Sequence, residues 1–211
     1  MWQWDEADRE FLRAIELNPN YPTVHHWFSN NLRERGEYPR ALAEIRRAHE
    51  LDPLSGIINV NLAILLALNA DVPAARAQLN RTIEMDRGWF NGYYWMGLVD
   101  LLDGRMSDAT PNLQKSVELN KDAVRRRAML GYALAGSGRR SEAPELVKEL
   151  ESRYSKDVAT ASNIATIYIG LGEKEKAYEW LPSIAIKIFI VFLLLSIINS
   201  RRFRFCVLLT D

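Results

Sequence analysis

The side chains in this sequence with the strongest claim to chemistry are His25 and His26, an adjacent pair, with His49 further along the chain. Imidazoles invite a metal ion or a general base. Neighbouring residues on a helix, however, point about 100° apart, so the pair does not converge on one ion. Cys206 is the only cysteine, which excludes an internal disulfide and a paired-thiol metal motif. No Ser, His and Asp set and no phosphate-cradling loop accompanies the histidines. The glycine-rich run Gly131 to Gly138 (GYALAGSG) and the aromatic run Tyr93, Tyr94, Trp95 both read as packing. The sequence therefore predicts no enzyme, no cofactor and no metal. What remains is a surface, and the elements that build it.

Charge narrows the kind of surface. Lys plus Arg total 27 and Asp plus Glu total 27, a balance without the basic excess that nucleic-acid binding normally needs. The acidic, aromatic start MWQWDEADRE has no resemblance to a secretory leader. Basic residues gather at the far end, where Lys187, Arg201, Arg202 and Arg204 face only Asp211 as counter-charge within 182–211. Body and tail differ in composition.

The body counts in units of 34 residues. RAIELNP, Arg13 to Pro19, returns as RAHELDP, Arg47 to Pro53. At the same spacing stand Ala7, Ala41, Ala75, Ala109, Ala143 and Ala177, all alanine, followed four residues later by Phe11, Ile45, Leu79, Leu113, Val147 and Leu181. Gly36, Ala70, Gly104, Gly138 and Gly172 precede the alanines by five. Apolar and small positions three and four apart lie on one helical face. Glycine can close the first helix of each unit with a positive φ, and Asn-Pro or Asp-Pro can end the second. Alanine recurs where two helices must approach closely. Each unit is thus an antiparallel helix pair that must stack on its neighbours to cover its apolar face.

With that period and those key positions, the chain resembles a tetratricopeptide-repeat array. In that frame the first helices place large residues at Phe28, Leu62, Met96, Leu130 and Ile164, each followed by a small one: Ser29, Ala63, Gly97, Gly131 and Ala165. The resemblance implies an all-α fold, an α-solenoid or right-handed superhelix of antiparallel helix pairs. It covers residues 1–181: a half repeat at 2–19, then repeats starting near 22, 56, 90, 124 and 158. It also implies a concave groove lined by the first helices, holding a protein or peptide. The groove positions are His26 and Asn30, Val60 and Ile64, Tyr94 and Leu98, Ala128 and Tyr132, Ser162 and Thr166. This lining is apolar and aromatic at its middle and suits a partner with apolar anchors. One subfamily clamps chain-terminal carboxylates with Lys, Arg and Asn. Here Asn30 and Asn61 take its two Asn positions, but His26, Asn91 and Trp95 stand where its cations belong, so that clamp is not expected.

Both ends depart from the pattern. The array begins on a second helix, whose apolar face invites self-association, and RAIELNPNYPTVHHW is similar to repeat segments of large bacterial signalling proteins. Pro182 falls where a second helix should continue. After it comes IAIKIFIVFLLLSII, Ile184 to Ile198, apolar apart from Lys187 and Ser196, then RRFR. Three readings stand for 182–211: a membrane segment with contact through 184–198, a reading-frame slip, or a packed cap. The corresponding location is cytoplasmic or membrane-anchored.

Overall fold

The computed structural model describes residues 4–156 and 160–181. The candidate membrane segment therefore lies outside the described residues. Among those residues no helix is long and apolar enough to cross a membrane. The chain divides into two compact units, one ending at Arg87 and the other starting at Gly88. Each is built of helix pairs, and the fold is an all-α solenoid.

The first unit contains α1 (Trp4–Leu17), α2 (Pro22–Glu34), α3 (Tyr38–Leu51), α4 (Gly56–Leu68) and α5 (Val72–Met85). The second contains α6 (Phe90–Leu102), α7 (Met106–Leu119), α8 (Val124–Gly136), α9 (Ala143–Tyr154), α10 (Ala161–Gly170) and the short α11 (Lys174–Glu179), with a 3-10 turn at Arg140–Glu142 before α9. The helices α2, α4, α6 and α8 start at Pro22, Gly56, Phe90 and Val124, a constant interval of 34. Within each unit, helices joined by a short connection pack on one another and therefore run antiparallel.

Local chemistry sets the boundaries. Helices α1 and α3 close on Leu17 and Leu51, directly before Asn-Pro and Asp-Pro. Pro22 occupies the first turn of α2, where its missing N–H is no loss. At the end of α2, Gly36 takes φ +75°, while the Gly36 and Glu37 amides donate to the Arg33 and Leu32 carbonyls at 2.9 and 3.0 Å. That is a left-handed closure which satisfies carbonyls the helix leaves open.

Close packing accounts for the periodic small residues. Ala41, Ala75, Ala109 and Ala143 are fully buried. A Cβ added to Gly97 of α6 would fall 2.5 Å from Leu113 Cγ on α7, and one on Gly131 of α8 would fall 2.7 Å from Ile167 on α10. Each is far inside van der Waals contact, so glycine is what lets those helices approach. In the second unit the core gathers Tyr94 and Leu98 from α6, Leu113 from α7, Leu130 and Leu134 from α8, and Ile164 and Ile167 from α10.

Candidate peptide-binding faces

In the first unit α2 and α4 carry the sequence-predicted positions His26, Asn30, Val60 and Ile64. His26 is buried, and its Nε2 accepts from the Asn30 amide at 3.2 Å and the Asn61 amide at 3.0 Å. An acceptor at Nε2 requires the neutral imidazole with its proton on Nδ1, a tautomer assigned from these partners. Burial, and then the neighbouring Arg33 charge, hold His26 below the ordinary imidazole range. Asn61 uses both amide hydrogens, one on His26 and one on the Ile57 carbonyl at 2.9 Å, and its oxygen accepts from Arg33 Nη1 at 3.0 Å. Arg33 also reaches Glu34 at 3.2 Å. The result is a polar network that ties α2 to α4. One acceptor stays outside it: Asn30 Oδ1 is buried without a hydrogen-bond partner.

His25 takes no part in this network. Its ring bridges Glu44 on α3, at 2.7 Å, and the Pro19 carbonyl, at 3.1 Å. The two histidines thus face different neighbours. Among the described residues no group of three or more His, Cys, Asp or Glu is placed to hold a metal ion.

Val60 and Ile64 are buried, Val60 to 1% exposure. The exposed large apolar side chains on these two helices are instead Trp27, 58% exposed, and Ile57, 48% exposed. Trp27 stacks beside His26 with ring centroids 5.6 Å apart, and Ile57 lies one turn before Asn61 on α4. The His26–Asn61 bond brings these two stretches together. Sequence reasoning passed over Trp27, Ile57 and Arg33, because it took one pair of positions from each first helix.

In the second unit Tyr94 and Leu98 are members of the core. The Tyr94 hydroxyl is held above the ordinary phenol range by burial, against the opposing influence of Arg125 and Arg126. Tyr132 and Thr166 are half-buried. Thr166 satisfies its hydroxyl on the Ser162 carbonyl at 2.8 Å, and burial raises the Tyr132 phenol. Ala128 is buried and Ser162 exposed. A cationic feature absent from the predicted set lies at the start of α8. The Arg126 guanidinium sits 4.0 Å from the Phe90 ring centroid and 5.2 Å from that of Tyr94, and its Nη2 donates to Asn91 Oδ1 at 2.9 Å. Its type was visible in the sequence as RRR, Arg125 to Arg127, but its aromatic seat was not.

No protein-family model matches the sequence, and no curated protein matches it. Solved structures do. The tetratricopeptide-repeat fold is shown by similarity to PilW, described as a type IV pilus biogenesis factor: TM-score 0.69 and 17% identity, over 94% of this chain and 88% of that one. TTC0263, described as a thermophilic repeat protein in Thermus thermophilus, aligns at TM-score 0.65 and 16% identity over 84% of this chain and 99% of that one. YrrB, described as a repeat protein with an unusual peptide-binding site, aligns at TM-score 0.56 and 22% identity over 86% and 97%. The chain has the tetratricopeptide-repeat fold.

Proposed function

We propose that the protein is a non-enzymatic scaffold whose first-helix faces hold a protein or peptide with apolar anchors. It would act as a recruiting segment of a larger assembly, of which a signalling protein is the kind its repeats resemble. The observation that carries this reading is on α2 and α4, two helices tied through His26 and Asn61: they carry the exposed Trp27 and Ile57, and Asn30, whose buried carbonyl oxygen lacks a donor. Large aromatic side chains at a protein surface are the residues most often dominant in binding. An unpaired buried acceptor is one that a peptide N–H would satisfy. His26 and Asn61 stiffen the face, while Val60 and Ile64 form its floor. Tyr132 and Thr166 offer the corresponding partly exposed positions on the second unit. The peptide-binding site named for YrrB supports the same use of this fold.

The test is selection of random 12-residue peptides displayed on phage against the full chain, followed by fluorescence-polarisation titration of enriched peptides. Trp27→Ala should weaken them by about 30-fold, the loss of a 2 kcal/mol hot spot, without changing the helical circular dichroism. Enriched peptides that bind the variant as tightly would defeat the proposal. Tyr94 and Leu98 are poor probes, since replacing them disturbs the second unit's core.

A second reading rests on α1, which has no buried residue and leaves Leu12 and Leu17 exposed, the latter to 71%. Self-association through this helix predicts a concentration-dependent mass by light scattering, and Leu12→Asp with Leu17→Asp would return it to the monomer value.

A further inference from the structure

In each helix pair the first helix covers one face of the second. His25 Nδ1 on α2 lies 2.7 Å from Glu44 Oε2 on α3, and Gln78 on α5 donates to Asn59 on α4 at 2.5 Å. Ser116 on α7 donates to the Phe90 carbonyl of α6 at 2.9 Å, and a Cβ on Gly97 of α6 would meet Leu113 and the Ala109 carbonyl. Carried back in steps of 34, these second-helix positions fall in α1 on Ala7, Glu10, Phe11 and Ala14. The counterparts of Ala7, Phe11 and Ala14 are buried in α3, α5, α7 and α9. In α1 Ala7 and Phe11 are only half-buried, while Glu10 and Ala14 are exposed. Leu17, three residues beyond Ala14, continues the same exposed strip. Glu10 has no hydrogen-bond or ion-pair partner among the described residues. Phe11 stacks on Phe28 of α2 with ring centroids 5.2 Å apart, so α1 is already seated on its neighbour.

What covers these positions in the other pairs specifies what fits here. The cover is an antiparallel α-helix, because stacked helices are what this array uses to bury such a face. It turns a polar side chain toward the position of Glu10, as His25 does toward Glu44. Four residues later it places a small side chain toward the position of Phe11, as Gly97 does toward Leu113. In α2 the same pattern reads His25, Phe28, Ser29. Charge selects among helices. Five acidic side chains and two basic ones lie on α1. A second copy of α1 laid on the strip would meet its own charge, whereas a basic helix would meet the opposite one.

We infer that Ala7, Glu10, Phe11, Ala14 and Leu17 form a docking face for a basic, amphipathic α-helix of a protein partner, received as the first helix of a pair. Lys or Arg of that helix faces Glu10, followed by a large apolar residue three positions later and a small one four positions later. This goes beyond the α2–α4 face and does not rest on it, since the receiving side chains all belong to α1.

The test is fluorescence anisotropy of a labelled synthetic peptide spanning residues 20–35 and carrying His25→Lys, titrated with the full chain. Saturable binding is expected, and the same peptide carrying His25→Glu should bind roughly fivefold more weakly, the upper end for an ion pair near solvent. In the protein, Glu10→Lys should invert that order. Ala14→Asp should weaken binding by roughly tenfold or more, since it sets an unpaired charge under the docked helix. Both changes are at exposed positions, so the helical circular dichroism should stay the same. Peptides selected against the α2–α4 face should bind Ala14→Asp unchanged, which separates failure of this face from failure of that one. Four results would overturn the assignment: no saturable binding, equal affinity for the two peptides, undiminished binding to Ala14→Asp, or a two-chain mass by light scattering that Ala14→Asp returns to one.

Discussion

The turn that closes α4 differs from its counterparts by one methyl group, and that difference has a measurable cost. Four such turns use glycine in the left-handed region: Gly36, Gly104, Gly138 and Gly172, with φ between +69° and +84°. At the fifth, Ala70 holds φ +65°. The backbone closure is the same in kind, since Ala70 and Asp71 amides donate to Ala67 and Leu66 carbonyls at 2.9 Å, as Gly36 and Glu37 do to Arg33 and Leu32. An L-residue in this conformation costs about 1–2 kcal/mol from the clash of Cβ with its own carbonyl. Ala70→Gly removes the clash but gives the unfolded chain extra freedom, which offsets about 0.4–1 kcal/mol. The net expectation is a stabilisation of about 0.5–1 kcal/mol, or about 1–4 °C in melting temperature for a chain of this size. Urea titration followed by circular dichroism should show a raised midpoint with an unchanged slope. The reciprocal change is Gly36→Ala. A Cβ there would meet nothing within 4 Å, so only conformation changes, and the midpoint should fall by a similar amount. A lowered midpoint in Ala70→Gly, or an unchanged one in Gly36→Ala, would refute the argument.

Two further outcomes follow from the packing and the polar network. Gly97→Ala gains about 1 kcal/mol in helix propensity, but its Cβ would lie 2.5 and 2.9 Å from Leu113 side-chain atoms; overpacking of about 1–3 kcal/mol wins, and the melting temperature should fall, opposite in sign to an ordinary helical glycine replacement. His26 is held below its ordinary 6.5, so the folded state resists protonation: its contribution is complete above about pH 6.5 and is lost as pH falls through the lowered value. The melting-temperature gap between the native protein and His26→Gln should therefore narrow between pH 7.5 and 5.5, and a constant gap would contradict it.

The fold was legible because its strongest signals are negative ones, places where only a small side chain fits. Ala75, Ala109, Gly97 and Gly131 recur at 34-residue spacing because a neighbouring helix occupies the space a larger residue would need. Register, helix boundaries and the glycine turns all follow from that. The proposed binding face was less legible, and the cause is physical. Val60, Ile64, Tyr94 and Leu98 are apolar residues on first helices, and an apolar residue reads the same whether it lines a groove or joins a core. Here all four are buried. Which side chains reach solvent depends on the rotation of each helix, which a period fixes only to within a position. That shift separates buried His26 from exposed Trp27, one residue later.

The seating of Arg126 was not legible for a different reason. Three adjacent arginines on a helix cannot share a face, so a charge run of that kind usually signals a solvated helix start. The structure sends them to three environments: Arg127 to Glu149, Arg126 to aromatic rings and Asn91, Arg125 to solvent. Only Arg127 finds a carboxylate among the described residues. Over Phe90 and Tyr94 the Arg126 guanidinium gains a cation–π attraction, and its hydrogen bond to Asn91 replaces part of the water it loses. Net neutrality of the whole chain hides this local imbalance, because the acidic residues that cancel it lie elsewhere. Asn30 is half satisfied: its amide donates to His26 while its buried oxygen has no partner. Neither environment is set by the 34-residue period, because both depend on partners from a neighbouring helix pair: Phe90, Asn91 and Tyr94 for Arg126, and Asn61, which shares the His26 ring, for Asn30.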